Sequence, residues 1–178
     1  MNRIKQAWIW LRRIGNCRGF GIQSPSDYRF VRYVINEHWP YYAYETLGKN
    51  DDWTRRKLGK LYFRIANYLH PRQIIDMVDM REYLLEACPK AEILPRETKL
   101  AELDKIELAI VPIQTEYNRL LSHCGDQSVI VFENIYLQPE LWHCIEQDQR
   151  TTVTFDLYYC GIVFFDKKRS PQNYIINF

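Results

Sequence analysis

Glycine is scarce in this sequence, seven in 178 residues, and none lies between Gly59 and Gly125. That gap falls where it excludes most. Gln73 to Val78 reads as a buried parallel strand, and Arg81 to Cys88 as the helix that follows it. In a nucleotide-binding α/β unit, the turn between two such elements carries glycines that let the backbone approach a cofactor. Here that turn is Asp79-Met80-Arg81. The chain has the pattern of a cofactor-binding fold without the cofactor loop.

Other absences narrow the class further. The five cysteines, Cys17, Cys88, Cys124, Cys144 and Cys160, are odd in number, widely spaced and without a CxxC pair. This excludes a disulfide framework and predicts reduced thiols in the cytoplasm. His123-Cys124 and His143-Cys144 lack zinc-finger spacing, and adjacent residues on one element point different ways, so they read as isolated packing residues. Cys160 has no identifiable histidine partner and reads as a buried, inert thiol. No run approaches the roughly 18 apolar residues of a membrane span. The segment from Asn2 to Ile14 is interrupted by Arg3, Lys5, Arg12 and Arg13, so it is neither a span nor a signal segment. Internal repeats and low-complexity tracts are also missing.

What is present is a globular composition, 47% hydrophobic and 15% aromatic, with a surplus of tyrosine that reads first as packing bulk. The net charge of +2 conceals an asymmetry. Residues 1–72 carry 14 Lys/Arg against 5 Asp/Glu, or +9; residues 73–178 carry 10 against 17, or −7. The simplest account is a basic helical layer docked on an acidic body. The sharper one is a basic face for nucleic acid or an anionic membrane. Arg55-Arg56-Lys57, with Lys60 and Arg64, reads as a solvated helix face. Trp8, Trp10, Arg12 and Arg13 read as packing onto the body, since tryptophans two residues apart occupy different helix faces.

The patterning predicts a helical region over residues 1–70 that packs on an α/β body over residues 71–178. Ile4, Ala7, Trp8, Leu11 and Ile14 form the apolar stripe of a first helix. A second helix starts at Ser24-Pro25-Ser26-Asp27 and continues through Val34 and Ile35. A third runs from about Trp53 to Leu69 and ends at His70-Pro71. Beyond Pro71, strand-like runs at 74–78, 91–94, 108–111, 129–132, 153–157 and 162–165 alternate with helical stretches at 81–88, 115–123 and 139–147. Such alternation is the mark of a three-layer α/β fold with a mostly parallel sheet. The last two runs have no helix between them and predict an antiparallel hairpin, with 173–178 as a further edge strand. Thr152, Thr154 and Asp156 alternate with Val153, Phe155 and Leu157, predicting a strand near an edge with one polar face. Ile162 to Phe165 is apolar throughout and predicts an interior strand, with Gly161 relieving crowding at its entry.

From Ile74 onward, this order of elements resembles the class I S-adenosylmethionine-dependent methyltransferases. It is more specifically similar to small bacterial members that begin with a His-Gly-x-His-Ser-Pro-Phe segment, against which this chain has Phe20-Gly21-Ile22-Gln23-Ser24-Pro25-Ser26. The best-matching parts are Ser128 to Ile135 and Phe155 to Phe165. The resemblance implies a Rossmann-like sheet and an S-adenosylmethionine site. The departures fall on that site: Asp76 survives, the glycine loop after it does not, and both motif histidines are replaced. Asp76, Asp79 and Glu97 are left as relic cofactor positions. Between Leu94 and Leu108 there is room for one short helix, where the relatives carry helix–strand–helix. Glu133 and Asn134 sit where metal-dependent relatives bind their ion, but the third ligand position holds Pro112, so no metal is expected. The resulting expectation is a degenerate, non-catalytic methyltransferase-like protein that binds no cofactor and serves as a binding module for a protein partner or a second copy. The alternatives are an active methyltransferase with an atypical S-adenosylmethionine pocket, and a basic-faced nucleic-acid binder.

Overall fold

The computed structural model of the chain describes residues 3–16, 19–94, 96, 98 and 105–178. Helices come first: α1 (Arg3–Arg12), α2 (Pro25–Phe30) and α3 (Trp53–Leu69). The Ser24 hydroxyl caps α2 by accepting from the Asp27 N–H, and Pro25 occupies the first turn, where a missing N–H costs nothing. Asp52 caps α3, accepting from the Arg55 N–H at 2.9 Å, and His70 ends it in the left-handed region at φ 48° just before Pro71.

The second helix departs from its periodicity. After Phe30 it widens into a π-helical turn, Val31–Ile35, closed by the Asn36 N–H on the Val31 carbonyl at 2.8 Å. The buried guanidinium of Arg64 on α3 takes up the carbonyls this leaves, donating to Val34 at 2.6 Å and Ile35 at 3.0 Å. A buried charge bonded in this way satisfies both itself and the helix end.

The body holds β1 (Gln73–Asp76), α4 (Arg81–Ala87), β2 (Glu92–Leu94), β3 (Ile106–Pro112), α5 (Tyr117–Ser122), β4 (Cys124–Glu133), α6 (Pro139–Gln147), β5 (Val153–Asp156), β6 (Cys160–Phe164) and β7 (Gln172–Ile175). The strands form one sheet in the order β2-β1-β3-β4-β6-β5-β7. Only β6 is antiparallel to its neighbours; β7 lies parallel to β5. The reversed strand between β4 and β5 gives the Rossmann-like, methyltransferase-type sheet that the resemblance implies. The relic position Glu97, and most of the predicted short helix before Leu108, lie outside the described residues.

Strand alternation distributes the core over the two sheet faces. Ile74, Leu108, Val131 and Ile162 pack with α2, α3 and α4, whereas Ile75, Ala109, Ile130 and Val163 pack with α5 and α6. That is a three-layer arrangement. Gly161 is required by this packing: a Cβ there would lie 2.3 Å from Trp142 Cη2 on α6. Among the described residues, no helix is long and apolar enough to cross a membrane.

Two expectations are corrected. The stripe of α1 does not pack inward: Trp8, Leu11 and Ile14 are exposed, and Ile9, off the stripe, is the buried residue. Arg13, just after α1, sets this rotation by donating to the Asp156 carboxylate at 2.8 Å and to the Asp156 carbonyl at 3.1 Å. The second concerns β5, which has no polar face: Thr152 is 8% exposed and Thr154 1%. Thr154 donates to Asn173 of β7 at 2.8 Å, so the edge strand that covers β5 also satisfies its hydroxyl.

Gly161→Val should cost about 3 kcal/mol, the upper end for overpacking, since the added atoms meet the buried Trp142 ring. Urea unfolding followed by tryptophan fluorescence measures it. Thr152→Asp, which the alternation alone would pass as mild, should also lower the unfolding midpoint clearly, because it buries a carboxylate beside a strand.

Candidate functional site

The carboxyl edge of the sheet is where α/β folds place ligands. At the end of β1, Asp76 turns its carboxylate back onto its own chain. It accepts from the Val78 N–H at 3.1 Å and the Met80 N–H at 2.8 Å, and burial raises its pKa in spite of these bonds. Asp79 makes the reversal in the left-handed region, at φ 61°, a conformation that a short polar side chain tolerates. Arg55 of α3 then locks the turn from outside, donating to the carbonyls of Val78 and Asp79. Met80 is buried, and α4 begins at once. The Asp76 carboxylate and the Val78 and Asp79 carbonyls are thus paired within the protein, while the Asp79 carboxylate stays exposed. Beside the turn, Asp76, Val78, Arg81, Ile93 and Arg96 line a cavity of about 350 Å³, at the low end for small-molecule sites.

Two glycines near this turn make room for a side chain. Tyr83, on the first turns of α4, inserts against Gly48 and Gly59. A Cβ at Gly59 would lie 2.5 Å from the Tyr83 ring, and one at Gly48 only 1.8 Å from its hydroxyl. The hydroxyl donates to Asp51 at 2.8 Å. Sequence reasoning missed this seat, although Gly59 inside an otherwise good helix was its signal.

At the end of β4, Glu133 accepts from the Tyr62 hydroxyl at 2.8 Å. Tyr62 is completely buried on α3. Burial raises the Glu133 pKa, and the nearby Asp76 charge pushes the same way. Asn134 follows in the left-handed region, its N–H donating to the Tyr159 carbonyl at 2.7 Å. Pro112 on β3 is the register partner of Glu133 and offers no side-chain oxygen. This donor set does not fit a magnesium or calcium ion, which wants several oxygens. Among the described residues, no three His, Cys, Asp or Glu side chains cluster in a way that could hold a metal. Cys160 opens β6 opposite Glu133, fully buried, and burial together with the Glu133 charge raises its pKa well above the ordinary range.

The larger openings lie farther along the same edge, where α1 and α3 meet the end of β5. One cavity of about 840 Å³ and another of about 620 Å³ share Trp10, Lys57, Asn177 and Phe178 as walls. Lys57 does not lie on the solvated helix face that the basic cluster predicts; it is half-buried and lies over two rings, 4.8 Å from the centroid of Trp53 and 4.3 Å from that of Phe178. Desolvation lowers its pKa to about 8.

No protein-family model matches the chain, and no curated protein matches it. Among solved structures, it is similar to a methyltransferase from Geobacter sulfurreducens determined at 1.90 Å resolution. That similarity has 12% identity and a TM-score of 0.45, covering 78% of this chain and 97% of the other.

The site makes one prediction about pH. Because the folded-state pKa of Glu133 is raised, its contribution to stability is full below the ordinary glutamate value of 4.5 and is lost as pH rises through the folded value. Glu133→Gln keeps an oxygen for Tyr62 but has no proton to lose. Its unfolding midpoint in urea should therefore gain on the wild type between pH 4.5 and pH 7. A constant difference across that range would show that Glu133 ionises freely.

Proposed function

We propose that this is a methyltransferase-fold protein without a working S-adenosylmethionine site, acting as a non-catalytic binding module. The β1 turn carries the reading. Its carboxylate is bonded to its own backbone, its carbonyls are occupied by Arg55, and Cβ atoms stand where a glycine loop would leave space. With Glu133 tied to Tyr62, Asp76 and Glu133 act as structural ties and do not present themselves to a ligand, whereas the Asp79 carboxylate is exposed.

The charge of the N-terminal region favours internal docking over nucleic-acid binding. Arg13 pairs with Asp156, Arg56 donates to the carbonyls of Gly48 and Lys49, and Arg64 is buried on backbone oxygens. Cations committed in this way are not available to phosphates. A cytoplasmic setting, with a small molecule, another protein or a second copy as partner, is consistent with this reading.

Calorimetric titration of the full chain with S-adenosylmethionine and S-adenosylhomocysteine should give no saturable heat. A micromolar dissociation constant for either, weakened by Arg55→Ala or Asp76→Ala, would replace this reading with that of an active enzyme with an atypical pocket.

A further inference from the structure

The junction of the two large cavities combines features that point to one kind of ligand. Lys57 and Lys60, one turn apart on α3, both lie over aromatic faces, Lys60 at 4.6 Å from the centroid of Tyr44. Among the described residues, neither ammonium has a carboxylate or carbonyl partner. A partly desolvated ammonium without a counter-ion is costly, and an arriving anion relieves that cost. The charged groups around Lys57 sharpen the sign. Arg64 on its own helix pushes the amine down, and the Cys160 sulfur of β6 pulls it up. Arg13 lines the smaller cavity with its charge committed to Asp156, and no aspartate or glutamate lies in that wall; Glu37 and Glu45 line only the larger one. The anionic end of a ligand is therefore directed to the Lys57 side. Trp10 and Trp53 in the cavity wall supply aromatic surface for the rest of the molecule. Volumes of this size suit a small molecule rather than a macromolecular segment.

We propose that this junction binds a small aromatic anion, a carboxylate or sulfonate on a planar ring system, with the Lys57 ammonium as its counter-ion. The site lies at the sheet's carboxyl edge but away from the β1 turn. It rests on the binding-module reading and gives that module a surface and a ligand class.

The probes are 2-naphthoate and its neutral analogue 2-naphthamide, titrated calorimetrically into the full chain. Naphthoate should bind at one site, at least tenfold more tightly than the amide. In Lys57→Gln this discrimination should vanish, whereas Lys167→Gln, at an exposed lysine that lines neither cavity, should keep it. Anion binding restores the charged form of Lys57, so the wild type should take up a fraction of a proton at pH 8 and almost none at pH 6.5. Titration in two buffers of different ionisation enthalpy reads that uptake, and decides alone if Lys57→Gln does not fold. Equal affinity for acid and amide, no saturable binding of either, or no uptake at pH 8 overturns the proposal. Tight S-adenosylmethionine binding at the β1 turn would instead overturn the non-catalytic reading and leave the naphthoate result standing, so the two failures are distinct.

Discussion

Burying Tyr62 under the sheet's edge fixes how α3 lies on the body, and most of the functional surface depends on that setting. The hydroxyl must reach Glu133 because a buried phenol without a partner is expensive. Once it does, the rotation of the helix is decided, and every other face of α3 is assigned. Arg55 meets the β1 turn, Gly59 receives Tyr83, Arg64 reaches the π-helical turn, and Lys57 faces the aromatic junction. One helix thus braces the turn after β1 and forms a wall of the two large cavities.

The glycines tell a connected story. A methyltransferase-type sheet ordinarily keeps backbone freedom in the turn after its first strand. This chain keeps it in the helix and loop that cover that turn, where Gly48 and Gly59 admit an aromatic ring. The same physical property, the lack of a Cβ, serves packing density instead of ligand approach. The closed turn and the seated Tyr83 reinforce each other, since both hold the start of α4.

Much of the fold was legible because strand length and apolar patterning carry it. The runs at 153–157 and 162–165, without a helix between them, gave the hairpin, and Ile162 to Phe164 is interior as its unbroken apolarity implied. The β5 polar face failed because alternation does not show what packs on a face: Thr154 is enclosed and bonds to Asn173 of β7. The α1 stripe failed for a related reason. Its rotation is set by Arg13 on Asp156, across 143 residues, and no local period encodes such a tie. In the site, the glycine-free turn and the missing oxygen at Pro112 were visible directly. The role of Lys57 was hidden, because a basic cluster reads as solvated until the rings from Trp53 and Phe178 are brought around it.

The long reach of these ties bears on how the chain acquires its structure as it is made. Phe30 of α2 packs its ring on Phe155 and Phe164, with centroids 5.2 Å and 4.9 Å away, and Asp27 pairs with Arg169, 142 positions later. Synthesis runs from the N-terminus at about 5–20 residues per second, so α2 emerges several seconds before its partners. Until β6 has left the ribosome, the first layer carries an uncovered apolar face. Closing so many distant contacts at once makes for slow folding. The nascent chain therefore exposes apolar rings for a time, a vulnerability that the finished molecule, with those rings enclosed, no longer shows.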